Sequence, residues 1–123
     1  MPRRKPAHPE SVSQRLFVSR VRLDPRTKDL VIAAIPNGGK RGAREAALMK
    51  GEGVLAGMPD IIVAVARQGV NGLWIEFKHG KNKPSPAQRA VIEKLRAAGY
   101  RVEVVYSEFE AWAVLCDYLG IAP

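Results

Sequence analysis

A chain of 123 residues, of which 46% are hydrophobic, has the length and composition of one folded domain with a single core. No apolar run approaches the roughly 20 residues that a membrane span needs, and the basic N-terminus lacks the apolar segment of a secretion signal, so we expect a cytoplasmic protein without membrane contact. One cysteine, Cys116, and two histidines exclude an intrachain disulfide and argue against a zinc site built from Cys and His.

The net charge of +8 is concentrated in one part of the chain. Residues 1–50 contain 12 Lys and Arg against 4 Asp and Glu, whereas residues 51–123 contain 8 against 8. A localised basic surface favours a polyanionic partner such as nucleic acid. A basic tail that serves only solubility is the alternative. The basic residues continue past the tail into segments with the pattern of folded elements, which favours nucleic acid.

The N-terminal part of the chain is predicted to form a basic arm followed by a helix. Residues 1–8 have the composition of a flexible arm, and residues 9–123 are expected to form one domain. Pro9 suits the first turn of a helix that extends to about Val21. One face of this helix carries Glu10, Gln14, Phe17 and Val21. Burial of the two apolar side chains would point Glu10 inward or at the edge of a cleft.

Two apolar strands in the middle of the chain are predicted to pair as a hairpin. The elements expected up to this point are a strand over 30–36, a glycine-rich turn over 37–42, a short helix ended by Gly51 or Gly53, and the two strands over 60–66 and 73–78. Asn71–Gly72 is the strongest turn signal between the paired strands, and the hairpin is expected to fold near Gly69–Val70.

The C-terminal part of the chain is predicted to add a helix, a strand and a second helix. Ser85 caps the first of these helices, with Pro86 in its first position. A strand over 100–106 follows, and a final helix begins after a serine cap at 107. Phe109 and Trp112 lie on the apolar stripe of that helix, so we expect both in the core.

Charged residues interrupt the two strands of the hairpin. Successive side chains alternate between the faces of a strand, so Trp74, Glu76 and Lys78 share one face. The hairpin brings Asp60 back alongside Glu76 and Lys78. Two carboxylates and an ammonium at one end of a sheet suit Mg²⁺, which prefers oxygen ligands, polarises phosphoryl oxygens and lowers the pKa of bound water. A lysine beside such an ion can orient that water or neutralise charge that develops on a phosphate.

A purely structural interpretation of these residues is an ion pair between Glu76 and Lys78, with Asp60 as a cap on a turn. The conjunction of features favours a site instead. Pro-Asp stands 16 residues before the glutamate, a hairpin lies between them, apolar runs surround both, and a helix follows.

These residues also carry a family resemblance. "GMPD" at 57–60 followed by "IEFK" at 75–78 resembles the PD-(D/E)xK nuclease signature. A wider ordered set is more specific and comprises "ESVSQ" (10–14), "PNGGKR" (36–41), "GEGVLAGMPDIIV" (51–63), "LWIEFKHGKNKPSPAQ" (73–88) and "LRAAGYRVEVVYSEFEA" (95–111). Together these segments resemble the VRR-NUC domain in its short standalone form, found in phages and bacteria, over roughly residues 10–119.

The resemblance implies a fold and an activity. The implied fold is α/β and restriction-endonuclease-like, with a central mixed β-sheet flanked by helices. The implied activity is Mg²⁺- or Mn²⁺-dependent hydrolysis of DNA phosphodiester bonds by an endonuclease, often on branched, flapped or four-way junction DNA. Size and family together suggest a homodimer in the cytoplasm of a bacterium or a phage-infected host.

Matched position by position, the resemblance also implies roles for single residues. Asp60 and Glu76 would be metal ligands, with the backbone carbonyl of Phe77 as a third, and Lys78 would be the catalytic lysine. Glu10 matches the acid of the family's first helix and could complete the metal shell. An acid is favoured in a first turn by the helix dipole in any case, so a purely structural role is the alternative for Glu10.

Three further features have both a functional and a structural interpretation. Gln88 matches a recurrent glutamine of the family and is assigned to the catalytic site, although it could merely bond backbone near its cap. Trp74 could stack on a base, but packing against a helix is favoured. A phosphate-binding segment, rather than a simple turn, is predicted at Asn37, Gly38, Gly39, Lys40, Arg41 and Arg44.

Two other functions remain open. A non-catalytic nucleic-acid-binding module with the same fold would be expected to have lost Asp60, Glu76 or Lys78, and all three are present. A sequence-specific restriction-type endonuclease would be expected to carry an insertion that reads base edges, and we identify none.

Overall fold

The computed structural model describes residues 8–36 and 42–123, so all but the last residue of the predicted arm lies outside it. The elements in chain order are α1 (Pro9–Leu23), β1 (Ile32–Ala34), α2 (Ala43–Gly51), β2 (Ile61–Val63), β3 (Leu73–Phe77), α3 (Pro86–Ala97), β4 (Arg101–Val105) and α4 (Glu108–Leu119). This is the predicted order, with shorter strands. No helix within the described ranges is long and apolar enough to cross a membrane.

The four strands form one mixed sheet in the order β1-β2-β3-β4. β2 pairs antiparallel with both β1 and β3, whereas β3 pairs parallel with β4. A parallel pair requires a crossover connection, which α3 supplies. All five residues of β3 are buried, as expected for a strand with neighbours on both sides and helices on both faces.

Helices cover both faces of the sheet and create two apolar clusters. On one face, α1 and α4 pack against the sheet through side chains that include Phe17, Trp112 and Leu115. On the other face, α3 packs through Ile92 against Trp74. The predicted α/β architecture, a central mixed sheet flanked by helices, is therefore confirmed.

The hairpin turn lies earlier than its strongest sequence signal. Gln68 and Gly69 have φ values of 50° and 78° and stand between the bridged residues Arg67 and Val70. Positive φ at both central residues is typical of the tight turns that match strand twist. Asn71 does not form the turn, because its Nδ2 donates to the carbonyl oxygen of Ala98 at 2.9 Å and thereby ties the hairpin to the end of α3.

Phe109 and Trp112 both lie on the apolar stripe of α4 but have different environments. Trp112 is buried as predicted, but Phe109 is 69% exposed, so its predicted core position is wrong. Phe109 lies in the first turn of α4, shortly after β4 ends at Val105, and this turn lies at the margin of the sheet. Trp74 packs inside the second cluster with its ring centroid 6.4 Å from that of Tyr100, which agrees with the favoured packing role.

Candidate active site

Glu76 lies near the end of β3, and Lys78 lies one residue beyond it. Leu73, Ile75 and Phe77 enter the first apolar cluster, while Trp74 enters the second, so side chains alternate as predicted. The same alternation directs Glu76 to the α3 side of the sheet. Glu76 is only 3% exposed, an unusual position for a carboxylate.

Asp60 is held next to this strand end by two backbone contacts. The register of the hairpin pairs Ile61 with Ile75, which places Asp60 beside Glu76 at the next position. The backbone N–H of Phe77 donates to Asp60 Oδ2 at 2.8 Å. The backbone N–H of Ile35 donates to the Asp60 carbonyl oxygen, also at 2.8 Å. Asp60 is therefore held between β1 and β3, through its backbone on one side and its carboxylate on the other.

The carboxylate of Glu76 has one satisfied oxygen and one without a partner. Oε2 accepts a hydrogen bond from Gln88 Nε2 at 2.7 Å and lies 3.3 Å from Lys78 Nζ. Oε1 is buried and has no hydrogen-bond partner among the described residues. Burial, followed by the neighbouring Asp60 carboxylate, raises the pKa of Glu76 to about 7, although Lys78 acts in the opposite direction.

Gln88 connects this carboxylate to the start of α3. Its Oε1 accepts from the backbone N–H of Ser85 at 2.8 Å, and Ser85 Oγ accepts from the backbone N–H of Gln88 at 3.2 Å. This reciprocal pair is a capping box. The Gln88 side chain thus uses its oxygen for the cap bond and its nitrogen for the contact with Glu76, while its predicted catalytic role stays a prediction.

These residues line one open cavity of about 370 Å³. Six of its lining residues were predicted as site residues, namely Glu10, Asp60, Glu76, Phe77, Lys78 and Gln88. His8, Ser11 and Gln14 also line it and were not predicted. Gln14 could have been found, since it follows Glu10 by one helical turn on the face that contains Phe17.

The donor set of this cavity fits a hard cation with an incomplete protein shell. Within residues 8–36 and 42–123, no three His, Cys, Asp or Glu side chains are grouped so that they alone could hold a metal ion. Asp60 and Glu76 supply two adjacent carboxylates, and one buried oxygen of Glu76 is without a partner. Mg²⁺ typically takes one or two carboxylates and keeps several waters, so the small carboxylate set suits it.

The predicted phosphate-binding segment falls mostly outside the described part of the chain. Residues 37–41 are not described, so the roles predicted for Asn37, Gly38, Gly39, Lys40 and Arg41 stay predictions. Arg44 is described and lies exposed in the first turn of α2. Its role also stays a prediction.

Only one of the two contacts in the purely structural interpretation occurs among the described residues. Lys78 pairs with Glu76. Asp60 accepts from the backbone N–H of Phe77, which lies in strand β3 and not in a turn. An ion pair alone would not place a second carboxylate against Glu76 or leave its buried Oε1 without a donor. Like charges that approach in a buried place cost free energy unless a cation or a proton compensates them.

The fold and the site together define the restriction-endonuclease-like class of α/β proteins. The sheet is mixed and has helices on both faces, and the cavity contains an aspartate beside the E-x-K sequence at the end of a strand. The chain belongs to the VRR-NUC domain family, which matches residues 8–109, and is thus a nuclease-family protein. A solved structure described as a VRR_NUC domain protein superposes with a TM-score of 0.80 and is 29% identical, covering 96% of this chain and 93% of that one. No curated protein matches the chain.

Proposed function

We propose that the protein is an endonuclease that hydrolyses DNA phosphodiester bonds with Mg²⁺ or Mn²⁺. The observation that carries this proposal is the unpartnered, buried Oε1 of Glu76 beside Asp60 and Lys78. A carboxylate pair of this kind is stabilised by a cation, and the family is one whose members are nucleases. DNA is the polyanion that suits the basic surface and the family.

In this proposal each residue of the cavity has a separate task. Asp60, Glu76 and the backbone carbonyl of Phe77 would hold the ion, with Glu10, which lines the same cavity, as a further ligand. The ion would supply Lewis acidity to the phosphate and make water at the site more acidic. Lys78 orients the attacking water and offsets negative charge as the bond from phosphorus to the leaving oxygen breaks. Gln88 keeps the Glu76 carboxylate in its orientation.

A set of matched variants tests this proposal. Asp60→Asn keeps an oxygen that can accept from the Phe77 N–H, so it removes charge with little structural change. Lys78→Ala removes the ammonium, and Asp117→Asn serves as a control on an exposed carboxylate paired with Arg101. We expect Asp60→Asn and Lys78→Ala to lose cleavage at least about 100-fold while they bind DNA within a few-fold of wild type. Wild-type rates in both variants would contradict the site.

The preferred DNA structure and the oligomeric state are the finer parts of the proposal. One subunit of 123 residues presents one cavity and a small footprint, whereas a homodimer would present two cavities and suit a branched duplex. The test is cleavage of linear, flapped and four-way DNA, and of the matching RNA, with Mg²⁺, Mn²⁺ or EDTA. Light scattering at tens of micromolar protein tests the dimer. Metal-independent binding without cleavage of any substrate would instead support the non-catalytic module.

A further inference from the structure

Residues 51–123 contain equal numbers of basic and acidic residues, yet one segment within them is strongly basic. Residues 77–92 include Lys78, Lys81, Lys83 and Arg89, together with His79, and contain no Asp or Glu. The N-terminal half is thus not the sole location of positive charge. The part of this segment over 79–83, here called the lysine loop, connects β3 to the turn before α3.

Both ends of the lysine loop are attached to the site. It begins directly after Lys78, whose Nζ contacts Glu76, and it leads to Ser85, which caps the helix that carries Gln88. The loop is also held in its middle. The backbone N–H of Asn82 donates to the His79 carbonyl oxygen, and Tyr106 Oη donates to the Asn82 carbonyl oxygen, both at 3.0 Å. The backbone of the loop is therefore restrained where the chain leaves the site.

Lys81 and Lys83, the two lysines of the loop, are exposed. Lys81 and Lys83 make no ion pair with any residue that the structure describes, in contrast to Arg101, which pairs with Glu103 and Asp117. The neighbouring first turn of α4 does contain acids. Of these, Glu110 Oε2 accepts a hydrogen bond from the backbone N–H of Tyr106 at 2.6 Å. Free lysines on a restrained loop beside a buried carboxylate pair are suited to an anion that reaches both.

We propose that the lysine loop binds backbone phosphates of the nucleic-acid strand that enters the cavity, next to the bond to be cut. This inference rests on the proposed function, whose substrate supplies the phosphates. Lysine is a flexible point charge without the planar fork of arginine, so the expected contacts are to phosphates and are independent of sequence. The lysine loop would thus contact phosphates of the strand beside the cavity.

The test compares two double variants that each remove two positive charges. Lys81→Ala/Lys83→Ala removes the lysine loop charges. Arg22→Ala/Lys28→Ala removes two exposed charges: Arg22 in the last turn of α1, about 18 Å along the helix from Glu10, and Lys28 in the turn that follows α1. Both are combined with Asp60→Asn and measured in EDTA, so that binding of a DNA duplex is separated from cleavage.

We expect the lysine loop variant to bind more weakly and to lower the slope of log K against log salt by about one to two units, since each lost phosphate contact contributes about 0.9. The α1 variant should change the slope by less than half as much. Equal effects of the two variants would overturn the proposal, because they would show that binding depends on total charge and not on the lysine loop. If wild type cuts no substrate but the slopes differ as expected, the proposed hydrolysis fails while phosphate binding by the loop stands.

Discussion

Gln88 donates from Nε2 to Glu76 Oε2 at 2.7 Å, and the same side chain accepts at Oε1 from the backbone N–H of Ser85. The first turn of α3 is therefore both the start of a helix and one wall of the cavity. Because one amide bridges the two, the position of the carboxylate depends on how α3 begins. This relationship can be tested by separating the cap from the contact with Glu76.

Ser85→Ala and Gln88→Ala should have similar effects on stability and different effects on cleavage. Each removes part of the capping box, which is typically worth about 1 kcal/mol. Only Gln88→Ala also removes the donor to Glu76, and loss of a hydrogen bond to a metal-ligating carboxylate typically costs about 10- to 100-fold in metal affinity or activity. Urea unfolding and single-turnover cleavage measure the two effects.

Ser85→Ala is the control in this comparison, since it leaves Gln88 Nε2 in place. Equal loss of cleavage in the two variants would mean that the start of α3, and not the contact with Glu76, matters. Unchanged cleavage in Gln88→Ala would remove Gln88 from the site.

The part of the site that follows from local periodicity could be predicted from the sequence. Strand alternation placed Glu76 and Lys78 on one face, because the period of two is a property of any extended strand. The hairpin then placed Asp60 beside them, since antiparallel pairing fixes the register once the apolar face is buried. Helical periodicity likewise placed Glu10 on the face of Phe17, at the cavity.

The part that depends on packing between elements could not be predicted. Phe109 follows the apolar periodicity of α4 but lies exposed in its first turn. Asn71 joins the hairpin to the end of α3, while the tight turn forms three residues earlier, at Gln68–Gly69. Whether Glu76 Oε1 has a partner among the described residues also depends on which side chains surround it in the fold, and periodicity does not reveal that.

Gly57→Ala should impair cleavage through the contact between the segment before β2 and α3. Gly57 has a φ of +89°, and a Cβ there would lie 2.8 Å from the Ala87 carbonyl oxygen, next to Gln88. The added methyl must push apart the segment that carries Asp60 and the helix that carries Gln88. Because small displacements of catalytic groups can cost about 100-fold, we expect kcat to fall at least about tenfold.

Gly53→Ala is a matched control for this prediction. Gly53 has a similar φ of +101°, but a Cβ there would meet nothing within 4 Å. Both variants should lose about 1 kcal/mol of stability from the left-handed backbone, and Gly57→Ala should lose more because its Cβ also overlaps the Ala87 carbonyl oxygen. Only Gly57→Ala should lose kcat, and a comparable loss in Gly53→Ala would show that backbone strain alone is responsible.

Without divalent metal, the stability of the protein should fall as the pH rises through the range set by Glu76. The pKa of Glu76 rises from 4.5 to about 7 on folding, so the native state binds more protons than the unfolded state between these values. The stabilisation by the proton is complete below about 4.5 and is lost as the pH passes 7. Relative to Glu76→Gln, wild type should lose about 1–3 kcal/mol between pH 5 and 8.

Urea unfolding in EDTA at several pH values measures this difference. Glu76→Gln cannot titrate at this position, so the difference between the two curves isolates the carboxyl group. Parallel curves over this range would mean that Glu76 ionises as an ordinary, ion-paired carboxylate.

Divalent metal should raise the melting temperature of wild type and not that of Glu76→Gln. An ion bound between Asp60 and Glu76 removes their repulsion and binds only the folded state, so the gain follows ligand linkage. At 10 mM Mg²⁺ and a dissociation constant near 1 mM, the gain is about 1.4 kcal/mol, or several degrees for a domain of this size. Glu76→Gln should equal or exceed wild type in stability without metal at pH 8, gain little with it, and fail to cut DNA.

The contrary interpretation, in which Glu76 serves only to pair with Lys78, makes the opposite prediction on each count. Glu76→Gln would then destabilise the metal-free protein, and Mg²⁺ would leave the wild-type melt unchanged. Calorimetric scans at constant ionic strength separate the two, with Asp117→Asn as the control that should keep the full metal response. Proton and metal also compete for the carboxylate, so the Mg²⁺ concentration for half-maximal stabilisation should rise up to about tenfold for each pH unit below 7.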